Sequence, residues 1–120
     1  MTGGDPDHRI VRLAAIVRAE LRQLERVMGE MDLALADFAD AVPSLRELRG
    51  IGNMLHDFYT GAEHIFERVS TELDGGVPRG SGWHRELLDS MALELPGVRP
   101  AVLEQATVRS LEEFLRFRPL

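Results

Sequence analysis

One face of a predicted helix between residues 49 and 67 carries side chains that can donate, accept and transfer protons. They are spaced three or four residues apart, so they share one side of an α-helix. The stripe consists of Arg49, Asn53, His56, Thr60, Glu63 and Glu67, with Asp57, Tyr59 and His64 at its margins. Two interpretations are open: a solvent-facing stripe that also forms hydrogen bonds between helices, or a surface that binds a ligand or RNA.

Metal coordination is one alternative chemistry for these side chains. His56 and His64 lie about 12 Å apart along a helix axis, too far for one ion to bind both. His64 with Glu67, and Tyr59 with Glu63, have feasible spacings, yet each pair needs further ligands from another helix. The sequence contains no cysteine, which excludes thiolate metal sites and a cysteine nucleophile. We expect neither a metal site nor a cofactor.

Other chemical motifs are weaker. Gly50 and Gly52 lie inside a helical pattern and not after a strand, so they do not form a phosphate-binding loop. Arg79 precedes His84 with four residues between them, a spacing that arises easily by chance among 14 basic residues, all arginine. We expect Trp83 to pack its helix against the bundle. The formal net charge of −6 argues against non-specific coating of nucleic acid, which needs a dense cationic surface.

Two long helices must position the stripe. Apolar residues step by three or four along the first, which predicts one continuous seam, with Asp7 as the N-cap. The seam is Ile10, Ala14, Val17, Leu21, Leu24, Met28, Met31, Leu35 and Phe38. Ser44 and Glu47 have capping-box spacing at the start of the second helix. Its apolar face is Leu48, Ile51, Leu55, Phe58, Ala62, Ile65, Val69 and Leu73.

Glycines interrupt the second helix. Gly50, Gly52 and Gly61 are poor helix formers, so something other than propensity must favour them. Our interpretation is that these small residues let another helix approach closely. A local kink is the alternative.

Shorter elements follow a glycine-rich loop at residues 74–82. A third helix is predicted from about Trp83 to Leu95 and ends at Pro96-Gly97. It should bury Leu87, Leu88, Met91 and Leu95. Pro100 suits the first turn of a fourth segment. That segment should bend near Thr107 and restart at Ser110 and Glu113, which repeat the capping-box spacing. No alternating run of β-branched residues predicts a strand.

These lengths favour an all-α fold, an antiparallel helical bundle of four to five helices built on a long helical hairpin. One domain over residues 1–120, with a flexible N-terminus at 1–7, fits the chain length. Two short helices cannot cover both long ones, so apolar surface stays exposed, which predicts a homodimer.

The N-terminus lacks a signal-peptide pattern, and no apolar run reaches the ~18 residues of a membrane span. We therefore expect a cytoplasmic location and no membrane partner.

The second half of the chain resembles HepT-like proteins of the HEPN superfamily. The resemblance rests on the segment from Arg49 to Arg68, on Trp83-His84-Arg85-Glu86-Leu87-Leu88, on Pro96-Gly97-Val98-Arg99-Pro100-Ala101 and on Leu115-Arg116-Phe117-Arg118. It extends over residues 44 to 118 and implies a HEPN-like helical bundle that homodimerises. Members of this family are commonly encoded beside a minimal nucleotidyltransferase, and the two proteins form a toxin–antitoxin pair.

The resemblance also implies a metal-independent ribonuclease with the motif Arg-x4-His-x-Tyr, which the transferase silences by adding AMP to the tyrosine. In such a motif histidine takes the 2′-hydroxyl proton and arginine holds the phosphate. In this sequence Pro119 and Leu120 follow Arg118, where the motif histidine and tyrosine are expected, so we assign no catalytic residue. We expect a HepT-like subunit of a toxin–antitoxin pair, of ribonuclease ancestry.

The alternative is a non-enzymatic dimeric helical module that binds a nucleotidyltransferase partner or a nucleotide. RNA is a further candidate ligand if the chain is a HepT-like subunit of a toxin–antitoxin pair. The candidate binding residues are Arg49, Asn53, His56, Asp57, Tyr59, Glu63, Arg116 and Arg118.

Overall fold

The computed structural model describes residues 8–39 and 41–116, which form four α-helices. The helices are α1 (His8–Ala36), α2 (Leu45–Leu73), α3 (Trp83–Ser90) and α4 (Gln105–Arg116). The described residues contain no strand, only an isolated bridge between Leu95 and Arg99. The predicted all-α fold is confirmed. In this part of the chain no helix is both long and apolar enough to span a membrane. The predicted N-cap Asp7 lies outside the described residues.

A capping box begins α2, as its sequence predicts. The backbone N–H of Glu47 donates to Ser44 Oγ at 3.1 Å, and the Ser44 N–H donates to Glu47 Oε1 at 3.0 Å. The hydrogen bond from the Ser44 backbone holds the pKa of the Glu47 carboxyl below its ordinary value. At the other end, the N–H of Asp74 donates to the Ser70 carbonyl and closes the helix before the predicted loop.

The core lies around the second half of α2, where α3 and α4 pack against it. Leu87, Leu88 and Met91 are fully buried there, as predicted, and so is Val108 of α4. The buried cluster comprises Leu24, Ala62, Ile65, Phe66, Val69, Leu87, Leu88, Met91 and Val108. Leu48, near the start of α2, is half exposed. The short helices therefore cover one end of the α1–α2 hairpin and leave the end nearest its connecting loop uncovered.

The prediction that the apolar seam of α1 is its buried face is wrong. α1 buries Leu13, Leu24 and Val27, and of these only Leu24 belongs to the seam. The exposed seam residues are Ile10, Leu21, Met28 and Leu35. The physical reason is that α1 carries apolar residues along two neighbouring lines, whereas α2 covers only one of them. Periodicity finds both lines and does not tell which one faces the partner helix.

α1 and α2 approach each other closely at Gly61. A Cβ atom added to Gly61 would lie 2.6 Å from Cδ2 of Leu24, closer than real side chains pack. The predicted role of small residues in helix contact is confirmed here. It is wrong for Gly50 and Gly52 within one protomer, since a Cβ at either would have no neighbour within 4 Å.

The chain after α3 differs from the prediction. α3 ends at Ser90, not Leu95, because the carbonyl of Met91 accepts from the N–H groups of Val102 and Leu103. Pro96 and Gly97 (φ 76°) then form a tight turn of type II, closed by Val98 N–H donating to the Leu95 carbonyl.

The fourth segment also starts later than predicted. Pro100 does not begin a helix, and α4 starts only at Gln105 and runs through Thr107 without interruption. Ser110 does not cap a restart, because its hydroxyl donates to the Ala106 carbonyl one turn back within α4.

Candidate functional site at the junction of α2, α3 and α4

A carboxylate–imidazole pair joins α2 to α3. Nδ1 of His84 lies 2.6 Å from Oε2 of Glu63, and the side chain of Glu63 is only 10% exposed. A carboxylate accepts, so Nδ1 carries the proton and Nε2 is left as the second nitrogen of the ring. This bond fixes the tautomer and the orientation of the imidazole.

His84 lies in the first turn of α3, next to Trp83, which packs against the core. Gly82 precedes the helix with φ 78°, a left-handed conformation that glycine adopts without strain. Trp83 packs partly buried against the core and stacks on the His84 ring, with ring centroids 3.6 Å apart. The expected packing role of Trp83 is confirmed, and the same residue holds one face of the imidazole.

One turn earlier on α2, an aromatic pair ties the helix to α4. The rings of Tyr59 and Phe114 are stacked with centroids 5.7 Å apart and planes inclined by 12°. Tyr59 is 1% exposed. Its ring is therefore part of the packing between α2 and α4 and is not a surface group.

Charged side chains line the outer edge of the junction. Arg85 of α3 faces Glu112 of α4 at 3.8 Å. A side-chain hydrogen bond with Asp89 raises the pKa of the Glu112 carboxyl, assisted by desolvation and by repulsion from Asp89, while Arg85 and Arg116 act in the opposite direction. Arg116 borders the same edge at a depression of about 150 Å³ that Arg85, Glu112 and Leu115 also line.

A buried arginine organises the chain beneath the junction. The guanidinium of Arg99 makes two hydrogen bonds to the Asp74 carboxylate, Nε to Oδ1 at 2.7 Å and Nη2 to Oδ2 at 2.8 Å. It also donates to the carbonyls of Ser90, Leu93 and Pro100. Arg99 thereby connects the end of α2, the end of α3 and the segment that leads to α4.

A protein-family profile described as HepT-like protein matches residues 50–120, more than half of the chain. The chain belongs to the HepT-like protein family. Comparison with curated proteins and with solved structures yields no match. The matched segment contains most of α2 and all of α3 and α4, so it includes both partners of the Glu63–His84 pair and both rings of the Tyr59–Phe114 stack. This agrees with the HEPN superfamily resemblance of the sequence.

The polar stripe of this HepT-like chain divides near Thr60. Its first half lies on the surface, whereas in the second half Glu63 turns into the core and Glu67 stays partly exposed, because α3 and α4 cover only that end of α2. The exposed residues of the first half are Arg49, Asn53, His56 and Asp57. Tyr59 and Glu63 are buried, which corrects the prediction of one continuous stripe. Arg116 lies on the surface at the end of α4, and Arg118 lies outside the described residues.

Sequence reasoning missed the partners of the buried charges. The spacing of Arg79 and His84 arises easily by chance, and Asp74 falls in the predicted glycine-rich loop, so neither pattern indicates a buried pair. Glu63 and His84 are 21 positions apart, and Asp74 and Arg99 are 25 apart, so no local spacing relates them. The one local signal is that Arg99 lies between the apolar Val98 and the rigid Pro100. No group of three or more metal-ligating side chains gathers within residues 8–39 and 41–116.

Proposed function

We propose that this HepT-like chain is a subunit of a toxin–antitoxin pair, of ribonuclease ancestry, that acts as a homodimer and binds a nucleotidyltransferase partner. One observation carries the proposal: an apolar surface on the α1–α2 hairpin that the short helices do not cover. We call this surface the hairpin face. It comprises Leu21, Met28 and Leu35 of α1 and Leu48 of α2.

The hairpin face has the properties of an interface. Its four side chains are 45–51% exposed. Leu21, Met28 and Leu35 recur every seven residues and so follow one side of α1. Single exposed apolar residues are normal on protein surfaces, whereas an aligned row favours association. An apolar depression of about 280 Å³ adjoins Met28 and is lined further by Met31, Leu55, Phe58 and Phe114.

A second copy of the chain is the occupant that fits this face best. An isologous dimer places the same apolar row against itself, so each protomer supplies the complement that the other needs. Gly52 lies one turn after Leu48 on the same side of α2, and a Cβ added there would have no neighbour within 4 Å. Gly52 thus leaves room for the backbone of a twin helix to approach closely.

The exposed half of the polar stripe supports the proposal that the chain binds a partner protein. Arg49, Asn53, His56 and Asp57 make no hydrogen bond or ion pair with the residues that the structure describes. Tyr59 is the one tyrosine of the sequence and is buried, so the folded protein does not offer it for adenylylation. In our proposal the partner acts on this chain by binding, which also favours the second candidate, a non-enzymatic binding module.

Co-purification tests the partner. The protein is co-expressed with a minimal nucleotidyltransferase, and complex formation is compared with that of a variant in which Arg49, Asn53 and His56 are alanine. Loss of the complex is expected. A variant with Arg18, Arg22 and Arg109 replaced by alanine alters three other exposed residues and should retain it.

Cleavage of labelled RNA by the same preparations distinguishes the two candidates. Cleavage supports the toxin, and binding without cleavage supports the non-enzymatic module. A protein that neither binds the transferase nor cleaves RNA contradicts both.

A further inference from the structure

We propose that a groove between the beginning of α1 and the end of α2 binds phosphate groups of a nucleotide or of an RNA strand. We call it the arginine groove. Arg9 and Arg12 of α1 and Arg68 of α2 line it, together with Leu13, Ile16 and Glu72, around a volume of about 320 Å³. It lies at the opposite end of the hairpin from the loop that joins α1 to α2, and it uses none of the residues of the junction described above.

The groove concentrates positive charge in an acidic protein. Arg12 and Arg68 lie there beside a single carboxylate, that of Glu72, whereas the whole chain carries a formal net charge of −6. Like charges held together raise the free energy of the free protein, and a bound anion removes that penalty. The local excess of cations therefore favours an anionic ligand.

Two of these arginines are available to a ligand. Arg12 and Arg68 are exposed and make no hydrogen bond or ion pair with the residues that the structure describes. Arg99 differs, since its guanidinium is fully engaged by Asp74 and backbone carbonyls. Arg12 and Arg68 project from two different helices, so an anion between them gains donors from both sides.

The chemistry of the lining favours phosphate. Each guanidinium presents planar N–H groups that match two oxygens of a phosphate at once. Leu13 and Ile16 contribute apolar surface beside the arginines. Such surface lowers the local dielectric constant and strengthens the contact between arginine and anion.

A second depression continues the groove towards the middle of α2. It also has a volume of about 320 Å³ and is lined by Glu20, His64, Glu67, Arg68 and Thr71. Arg68 lines both depressions and lies between them. Glu20 and Glu67 make this second depression acidic, so the phosphate site lies in the first depression, between Arg12 and Arg68. The proposal rests on the placement of the arginines and does not depend on the toxin–antitoxin role.

Binding by the full-length protein tests the arginine groove. Fluorescence anisotropy of a labelled oligouridine is measured with the wild type and with an R9Q/R12Q/R68Q variant. The matched control is R18Q/R22Q/R46Q, which removes the same charge from exposed positions outside the groove. Competition with ATP and with inorganic phosphate identifies the source of the phosphate, and circular dichroism verifies that both variants are folded.

We expect the groove variant to bind at least about tenfold more weakly and the control to bind within about twofold of the wild type. Each phosphate contact on a single strand contributes about −0.7 to the slope of log K against log salt, so loss of the two available arginines should reduce the slope by about 1.4 units. Selective loss of oligouridine binding supports an RNA strand, and selective loss of ATP binding supports a nucleotide. Equal loss in both variants, or no binding of any probe by the wild type, overturns the proposal.

Discussion

Nδ1 of His84 donates a hydrogen bond to Oε2 of Glu63 across 2.6 Å, and this bond fastens α3 to a carboxylate buried on α2. His84→Ala leaves that carboxylate without its partner in a poorly hydrated position. Leaving a buried polar group unsatisfied costs about 1–3 kcal/mol. We predict a loss of stability in this range, measured by urea denaturation.

A double-mutant cycle separates the hydrogen bond from general damage. Glu63→Gln in the His84→Ala background should be less harmful than in the wild type, because a neutral amide is easier to leave without a partner than a carboxylate. His56→Ala changes an exposed histidine of the same α2 helix and should alter stability by less than about 0.5 kcal/mol. Additive effects of the His84 and Glu63 substitutions would contradict a direct coupling between them.

The buried Arg99 should be the most sensitive charged residue of the described chain. Its side chain is 3% exposed and donates five hydrogen bonds to four residues. Arg99→Leu leaves the Asp74 carboxylate and three carbonyls without these donors. Removing one partner of a buried ion pair costs about 3–5 kcal/mol. We predict a fall of that size in the free energy of unfolding.

Arg99→Lys tests whether the geometry of the guanidinium matters. A lysine keeps the positive charge but cannot donate in parallel to both oxygens of Asp74. It should recover less than half of the lost stability. Arg109→Leu, at an exposed position of α4, is the control and should have little effect. Full recovery by lysine would show that charge alone accounts for the role of Arg99.

The carboxyl of Glu112 should make stability depend on pH. The hydrogen bond with Asp89 raises the pKa of Glu112 above its ordinary value of 4.5, so the folded state holds this proton more tightly than the unfolded state. The stabilisation is complete below 4.5 and is lost as the pH rises through the folded-state pKa. Glu112→Gln keeps a hydrogen-bonding side chain without this ionisation.

We therefore predict that the stability of Glu112→Gln relative to the wild type increases as the pH rises above 4.5. The midpoint of urea unfolding, measured across that range, gives the difference. Glu113→Gln, at an exposed neighbouring position, controls for the loss of a negative charge from α4. A constant difference between Glu112→Gln and the wild type at every pH would contradict the hydrogen bond with Asp89 that raises the pKa of Glu112.

The close approach at Gly61 predicts opposite effects for two glycine substitutions. Gly29 of α1 is exposed, with nothing within 4 Å of an added Cβ, so Gly29→Ala should stabilise the protein by up to about 1 kcal/mol. Gly61→Ala gains the same helix propensity but drives a methyl group into Leu24. Overpacking of this kind costs about 1–3 kcal/mol.

Thermal unfolding of the two variants measures the contrast. In a Leu24→Ala background the added methyl group has space, and Gly61→Ala should then become stabilising. If Gly61→Ala stabilised the protein as much as Gly29→Ala does, the helices would not be in contact at this point.

Local features of the fold could be predicted from the sequence. Ser44 and Glu47 are three residues apart, so the capping box that begins α2 depends only on neighbours along the chain. The predicted apolar residues Ala62, Ile65 and Val69 are buried in the second half of α2, because their spacing places them on one side of the helix, next to the buried Phe66.

Features that depend on a distant partner could not be predicted. The buried face of α1 was misassigned because Leu21 and Leu24 are equally apolar, and only the position of α2 decides which is covered. The early end of α3 depends on backbone hydrogen bonds from Val102 and Leu103 and on Arg99, all of which arrive from later in the chain. The candidate site divides for the same reason: α3 and α4 cover Tyr59 and Glu63 but not His56.

The mass of the protein in dilute solution tests the central claim, that the hairpin face holds two copies together. Light scattering coupled to size-exclusion chromatography should give twice the 13.4 kDa of one chain for the wild type. The variant Leu21→Glu/Met28→Glu should give the mass of a single chain with unchanged helical circular dichroism. Leu33→Glu is the control, because Leu33 is exposed on nearly the opposite side of α1 and should leave the dimer intact. A wild-type protein with the mass of one chain, or a dimer that survives both glutamates on the hairpin face, would contradict the claim.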